Sequence, residues 1–551
     1  MNKRYKILVA VSLLSVVACN ESEWLEEKPL DIYTAENSYS KPSDFNAAVA
    51  KMYENVFDAL LDINSSEGRA MHYPTDIAID AIDITHDLNL YQDKLTPTTG
   101  VVQNVWSKLF KIVSNANVVI GRIDDPAIKF DSDEQRNSLK AEAMFFRAFA
   151  YRTLEIIYGG VPIVTEEISE TKRDFVRASK EEVLKLVVDD LLFAQSNLPA
   201  VTELKEEGRL TKAAANHLLT EVYISQDNYP EAITTAGKVI NNPNYSLMTD
   251  RFGSRKGEPG DVYWDLFRMN NQNRGSGNTE SIWVRQYEYL VEGGGSDNPW
   301  PRFLVPLYWQ LKGDDGANLF IGPSNAYGGR GIGWYAPTLY MRNTVWEGAE
   351  NDIRNSEHNI IRDIVANNPE SAYFGQKIVE SGAIEKFPNT NDRWWNVIFA
   401  KVAPINNFPK EFILDAETGL LNNSANNMPT DQYIFRLSET YLLRAEAHLL
   451  NGDAPSAAAD INVVRKRSHA APVDASMVDI DYILDERARE LAWEELRLIT
   501  LMRVGKLVER VRQYNPLTGD RIADHQNLWP IPFREIETNT EAILEQNPGY
   551  F

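Results

Sequence analysis

Apolar residues recur at helical spacing through much of the chain and lose that period in the middle. Lys41 to Leu60 opens on Pro42-Ser43-Asp44, a helix-start signal, and puts Phe45, Val49, Met52 and Val56 on one face. Helical stretches follow at Val101 to Ile120 and Asp133 to Tyr158, the second stopped by Gly159-Gly160 and Pro162. Thr211 to Ile240 places Ala214, Leu218, Leu219 and Tyr223 at helical spacing, turns at Asp227-Asn228-Tyr229-Pro230, and resumes with Ala232, Ile233 and Ala236. Tyr441 to Arg467 repeats the scheme: Leu442, Leu443, Ala445 and Ala447, a turn at Asn451-Gly452-Asp453, then Ala457, Ala458, Ile461 and Val464. Between these units, strand-like runs such as Ser281-Ile282-Trp283-Val284 alternate with long turn-rich stretches.

The small-large alternation of the two paired units is the tetratricopeptide helix-turn-helix pattern. Because the units lie far apart in sequence, they do not form a simple tandem array. The expected fold is mostly α: a tetratricopeptide-like helical-repeat scaffold with a large, irregular, loop-rich insertion. The expected segments are a signal peptide (1–18), a lipidated N-terminus and tether (19–39) and an N-terminal helical region (40–250). An aromatic and glycine-rich insertion (251–430) and C-terminal helices with a closing segment (431–551) complete the chain. The insertion carries eight of the twelve tryptophans and 19 of the 30 glycines. Such loops on a rigid helical base suit a recognition surface, and part of the rings are expected to form a second small core.

The N-terminus changes the picture of where the protein resides. Lys3, Arg4 and Lys6 precede an apolar run from Ile7 to Ala18. Twelve helical residues reach about 18 Å, short of a bilayer core of about 30 Å, so the run reads as a cleavable signal. Val16-Val17-Ala18-Cys19 matches the bacterial lipobox, and Cys19 is the only cysteine. Lipidation at Cys19, with several acyl chains on one residue, would anchor the protein stably. No cysteine remains for a disulfide, so stability must come from packing. The formal net charge of −23 argues against a nucleic-acid partner and against broad docking on anionic lipid.

Catalytic and nucleotide signatures are missing: the chain has no G-x-S-x-G, H-E-x-x-H, Walker A or EF-hand string. Gly328 to Gly333 resembles a dinucleotide fingerprint, but its third glycine would fall on Trp334, and the run reads as a flexible loop. Seven histidines lack ligand spacing, so no metal site or cofactor is expected. The densest charge cluster, Asp485 to Arg497, carries paired carboxylates that could serve glycoside hydrolysis. Arginines three residues away on a long amphipathic helix, such as Arg497 from Glu494, instead favour salt-bridge lacing between helices. Asp76, Asp80, Asp83 and Asp87 would repel along one helix face, which favours a loop whose acids bond ligand hydroxyls, hold a cation or serve turns. Trp300, Trp309, Tyr327, Trp334, Tyr335, Trp394 and Trp395 are the candidates for stacking on a sugar face.

Several strings in order resemble the SusD/RagB family of surface lipoproteins. Cys19 followed by Trp24-Leu25-Glu26-Glu27-Lys28-Pro29 is similar to the family's mature N-terminus, and Trp106 through Asn117 to its early helix. Ala141 to Tyr151, continuing to Tyr158-Gly159-Gly160-Val161-Pro162, carries the strongest likeness. Asp352-Ile353-Arg354, Arg436 to Ala447, Leu484 to Gly505, Trp529-Pro530-Ile531-Pro532 and Asn547-Pro548-Gly549-Tyr550 complete it. Thr500 stands where the family often has aspartate, and Glu495-Leu496 where a glycine is common.

The resemblance implies a non-enzymatic lid over a TonB-dependent (SusC-like) outer-membrane transporter that captures oligomeric nutrient, usually glycan. The acidic run after Cys19 would then be a surface-export signal, leaving the protein lipid-anchored and facing the cell exterior. It also implies ligand contacts near residues 72–95 and at Trp334-Tyr335. On this reading Trp300, Trp334 and Tyr335 stack on sugar, while Asp80, Asp83 and Arg330 bond hydroxyls. The alternatives are peptide capture in the same pocket, a surface glycoside hydrolase, and a purely structural lipoprotein.

Overall fold

Helices form where the apolar stripes place them. The computed structural model describes residues 38–82, 88–288, 291–292, 294, 298–387 and 391–550. Cys19, the acidic run behind it and Asp83 lie outside the described residues. Helix α1 (Pro42–Val56) buries Phe45, Val49, Met52 and Val56. Its start is fixed by Pro42 and by the Asp44 carboxylate, which accepts the Ser40 and Lys41 backbone N–H groups at 3.0 and 3.1 Å.

Helices α2 (Gly100–Arg122), α3 (Asp133–Tyr158), α4 (Lys180–Asn197), α5 (Lys212–Ser225) and α6 (Tyr229–Ile240) follow, each packed on the next. Helix α6 then packs on α7 (Leu437–Leu450), which pairs with α8 (Ala454–Arg467). The two tetratricopeptide-like units, distant in sequence, are therefore neighbours in one helical stack.

The chain between α6 and α7 is mostly turns, short helices and small strands. In chain order the strands among the described residues are β1 (Ala78–Asp80), β2 (Ser281–Arg285), β3 (Tyr335–Pro337), β4 (Ile360–Ile361), β5 (Ile398–Phe399), β6 (Ile413–Asp415), β7 (Leu420–Leu421) and β8 (Gln432–Arg436). They pair antiparallel as β1 with β3, β2 with β8, β4 with β5, and β6 with β7. The β2–β8 pair brings the outgoing and returning chain together beside α7. Pairing β1 with β3 ties the segment between α1 and α2 to the middle of the long excursion. The excursion also has an apolar core of its own around Tyr308, Leu311, Phe320, Ile364, Ile378 and Ile398.

The charged C-terminal stretch departs from the expected single helix. Helix α9 (Ile480–Leu491) ends early, Trp493 takes φ = 67° and is buried, and α10 (Arg497–Arg503) begins afresh, followed by α11 (Leu507–Tyr514). The break frees Glu494 and Arg497 from each other. Glu494 accepts from Arg436 at 2.7 and 2.9 Å, and Arg497 donates to Asp76 at 2.6 and 2.9 Å. The single helix is therefore corrected, while the lacing does run between separate elements: these charges have little exposure, and a buried charge left unpaired is costly.

At the centre lies an ion-pair network with almost no solvent exposure. Glu490 accepts from Arg354 at 3.0 Å, from Arg436 at 2.7 Å and from Arg467. Glu280 bonds Arg436 and Arg467 at 2.9 and 2.7 Å, while Glu486 bonds Arg354, Arg465 and Arg489 at 2.8, 2.8 and 3.0 Å. Burial pushes the Glu486 carboxyl up, but Arg354, Arg489 and Arg465 outweigh it and hold it at about 2. Glu490→Gln removes the charge shared by three guanidinium groups and is expected to cost about 3–5 kcal/mol in urea denaturation. A carboxyl depressed on folding adds stability above its ordinary value near 4.5 and loses it as pH falls toward 2. The Tm is accordingly expected to drop across that window, more steeply in the wild type than in Glu486→Gln.

Candidate functional site

The β1–β3 ribbon is the element around which the candidate residues collect. Its base is Asp76, whose carboxylate is held by Arg497 and by Arg510, the latter at 3.0 Å. The Asp76 backbone carbonyl accepts the Thr338 hydroxyl at 2.5 Å, and the Ile77 carbonyl accepts the Thr338 N–H at 3.0 Å. From there Asp80 lies opposite Tyr335, and the Ala81 N–H donates to the Trp334 carbonyl at 2.9 Å. The segments 72–82 and 334–337, more than 250 residues apart in sequence, thus form one surface.

Trp334 is half-buried at the outer end of the ribbon. Phe303 packs against its ring edge-on (5.2 Å, 65°), and the Arg69 guanidinium lies 5.9 Å from its centroid. Arg69 is held by its Nη1 donating to the Asn64 and Ile63 carbonyls at 2.8 and 3.3 Å, on a short helix (Ser66–Ala70) capped by the Ser65 hydroxyl. A partly exposed indole with a cation beside it and an aromatic backing suits stacking on the apolar face of a sugar.

The loop leading into Trp334 is not flexible as its glycines suggest. It is pressed between two backbones: the Ile332 N–H donates to the Arg302 carbonyl at 2.8 Å and the Gly333 N–H to the Val305 carbonyl at 3.0 Å. The Arg393 Nε–H also donates to the Ile332 carbonyl at 3.2 Å. Gly333 takes φ = 58°, and a Cβ there would run into the Arg393 carbonyl. The glycines allow close approach here, which immobilises the loop.

The other candidates separate. Trp300 and Tyr335, expected to stack on ligand, are 2% and 1% exposed. Trp300 sits between His72 (4.7 Å), Tyr335 (6.0 Å) and Trp493 (6.0 Å), and Tyr335 against Tyr73 (5.3 Å). Both rings belong to the core behind the ribbon because the local chain turns them inward. Asp80 is buried and its Oδ1 accepts the Ile82 N–H at 2.9 Å, a turn role. The Arg330 guanidinium lies 5.5 Å from the centroid of the Trp309 ring. Arg69 and Phe303 carried no signal in the sequence, since only the fold brings them to Trp334. Burial holds the His72 imidazole down at about 3, so it stays neutral in the working range of pH.

Residues 279–550 match the model of the SusD family, SusD/RagB, and residues 23–224 match that of a SusD-like family described as "Starch-binding associating with outer membrane". The chain belongs to the SusD/RagB family. SusD-like protein P25 of Formosa agariphila is 27% identical over the whole of both chains. Among solved SusD-like structures, a laminarin-binding protein superposes with a TM-score of 0.68 at 21% identity, covering 93% of this chain and 100% of that one. Surface glycan-binding protein A of Bacteroides thetaiotaomicron, in complex with laminarihexaose, gives 0.66 at 20% identity, covering 92% and 99%. The helical stack with its long excursion is the SusD-like fold.

Gly333→Ala is expected to lower stability by more than about 1 kcal/mol in denaturant titration, since it adds both a clash and a disfavoured φ. It should also shift the tryptophan emission by moving Trp334, whereas Gly382→Ala, whose added Cβ meets open space, should not.

Proposed function

We propose that this SusD/RagB protein is an outer-membrane surface lipoprotein that binds an oligosaccharide on the Trp334 face and passes it to a TonB-dependent (SusC-like) transporter. The observation that carries the proposal is the half-exposed Trp334 ring, held by a pinned loop and flanked by Arg69. The backbone pairing of Ala81 with Trp334, which joins parts of the two segments implied by the family resemblance for ligand contact, supports the reading. The laminarin-binding and glycan-binding relatives in fold, and the family's association with the outer membrane, support the same reading. Anchoring would run through Cys19 and its acidic tether.

The charge cluster of α9 lends hydrolysis no support. The carboxylates of α9 that sequence alone offered for acid–base work are locked against arginines: Glu486 is held at about 2 and Glu490 lies well below the ordinary range. A glycosidase needs one carboxylic acid protonated near neutral pH, and neither group supplies it.

The test is retention of residues 20–551 in affinity gels containing laminarin, starch and other polysaccharides, with a peptide pool titrated by calorimetry. Retention by one glycan is expected, and Trp334→Ala should weaken it about tenfold, about 1.4 kcal/mol, within what one stacked ring contributes. Heat from peptides with every glycan silent would replace this reading by peptide capture. Release of reducing ends by the pure protein would replace it by hydrolysis.

A further inference from the structure

A second groove opens beside the β1–β3 ribbon. It has a volume of about 450 Å³ and is lined by Ile79 of the ribbon, Leu339 and Arg342 of the short helix that follows β3, and Asp392, Tyr514 and Asp520. That size lies in the range of small-molecule sites. Leu339 is 53% exposed and Tyr514 is half-buried.

Tyr514 is a platform fixed before any ligand arrives. One side of its ring stacks on Tyr340 (4.1 Å, 30°), and the Arg510 guanidinium lies 4.8 Å from its centroid. Tyr340 is itself held by donating to Asp485 at 2.5 Å. The residue after the platform ties it to the ribbon: Asn515 Nδ2 donates to the Thr75 and Ala78 carbonyls at 2.8 and 3.1 Å. The Asn515 Oδ1 accepts the Leu517 and Thr518 N–H groups at 3.1 and 3.0 Å, closing the loop on itself.

The charges of the groove are balanced. Arg342 donates to Asp392 at 2.8 Å, leaving its buried Nε–H without a partner, and Arg512 pairs with Asp524 at 2.7 Å. Paired charges offer little net field to an ion. They do offer fixed donors and acceptors side by side, which suits the vicinal hydroxyls of a neutral sugar, and Leu339 and Tyr514 offer apolar surface for its ring faces.

Trp334 and Leu339 are five residues apart on a largely extended run, about 16 Å at strand rise. The Arg393 and Asp392 neighbours bridge the same gap, Arg393 bonding Ile332 beside Trp334 and Asp392 bonding Arg342 in the groove.

We propose that this groove is a second subsite for the same glycan chain, so that a neutral polysaccharide crosses the ribbon from Trp334 to Tyr514. The inference rests on the glycan-binding reading above and adds to it a preference for chain length. Two linked subsites raise affinity for a chain that spans both, while a fragment filling one gains nothing from the other.

The experiment compares a polymer and a trisaccharide on full-length mature protein: laminarin against laminaritriose, and starch against maltotriose. Leu339→Glu, at an exposed position, and Tyr514→Ala are each expected to weaken polymer binding about fivefold and leave trisaccharide affinity at the Trp334 face unchanged. Trp334→Ala should weaken both. Circular dichroism checks the fold of the Tyr514 variant, and the Leu339 variant carries the test if that fold is lost. Polymer binding unchanged in Leu339→Glu, alongside loss in Trp334→Ala, would overturn the second subsite and leave the first standing. A wild-type protein that binds no glycan of either length would overturn the glycan reading and this inference with it.

Discussion

Glu490 is the point on which this architecture turns. Its carboxylate gathers Arg354 from the long excursion, Arg436 from the end of β8 and Arg467 from the end of α8. Its backbone carbonyl accepts the Lys401 ammonium at 2.9 Å and the Tyr263 hydroxyl at 2.9 Å. Five separate stretches of chain converge on one buried residue. The desolvation of such charges is repaid only when every partner is in place, so the network is satisfied by one arrangement of these segments and penalises the others. An excursion with so little regular structure needs that kind of restraint, because backbone ladders and apolar stripes do little to fix it.

A second buried carboxylate does the same for the side that carries Trp334. Asp76 joins the segment after α1 to Arg497 of α10 and Arg510 of α11, and its backbone holds Thr338 at the end of β3. The ribbon is therefore anchored to the helical scaffold at its inner end, while its outer end presents Trp334. Arg510 also reaches Asp485 and Tyr340, and Tyr340 supports the Tyr514 ring. Both aromatic faces thus descend from one ion pair.

The helical scaffold was legible in the sequence because each helix repeats the same instruction many times. Phe45, Val49, Met52 and Val56 are all buried, and α3 ends where Gly159 and Pro162 require. The paired units at 211–240 and 441–467 were readable for the same reason, but their contact was not, since the α6–α7 interface is made across the whole excursion. Asp76 illustrates the limit. Its spacing with Asp80 excluded a helix correctly, yet nothing local distinguishes a solvent-facing acid from one paired with arginines 421 and 434 residues away. Trp300, Tyr335 and Trp334 likewise share a composition and differ only in the direction the folded chain gives each ring. The glycines of 328–333 misled in the opposite sense, because permissive φ serves tight packing as well as freedom.

With Trp300 and Tyr335 drawn inward, the proposed site is left with fewer rings than the sequence offered, and this has a physical consequence. One stacked ring contributes on the order of 1 kcal/mol beyond the area it buries, too little for useful capture if the ligand must also order a mobile loop. Here the ordering precedes the ligand: Ile332 and Gly333 are bonded on both sides, and Phe303 fixes the indole from behind. Preorganisation removes a cost of binding without adding a contact. The buried rings act through this route, since the core they form with His72, Tyr73 and Trp493 is what keeps the ribbon from moving under Trp334. The aromatics of the excursion divide between holding a surface still and being that surface, and the first group is what makes the second effective.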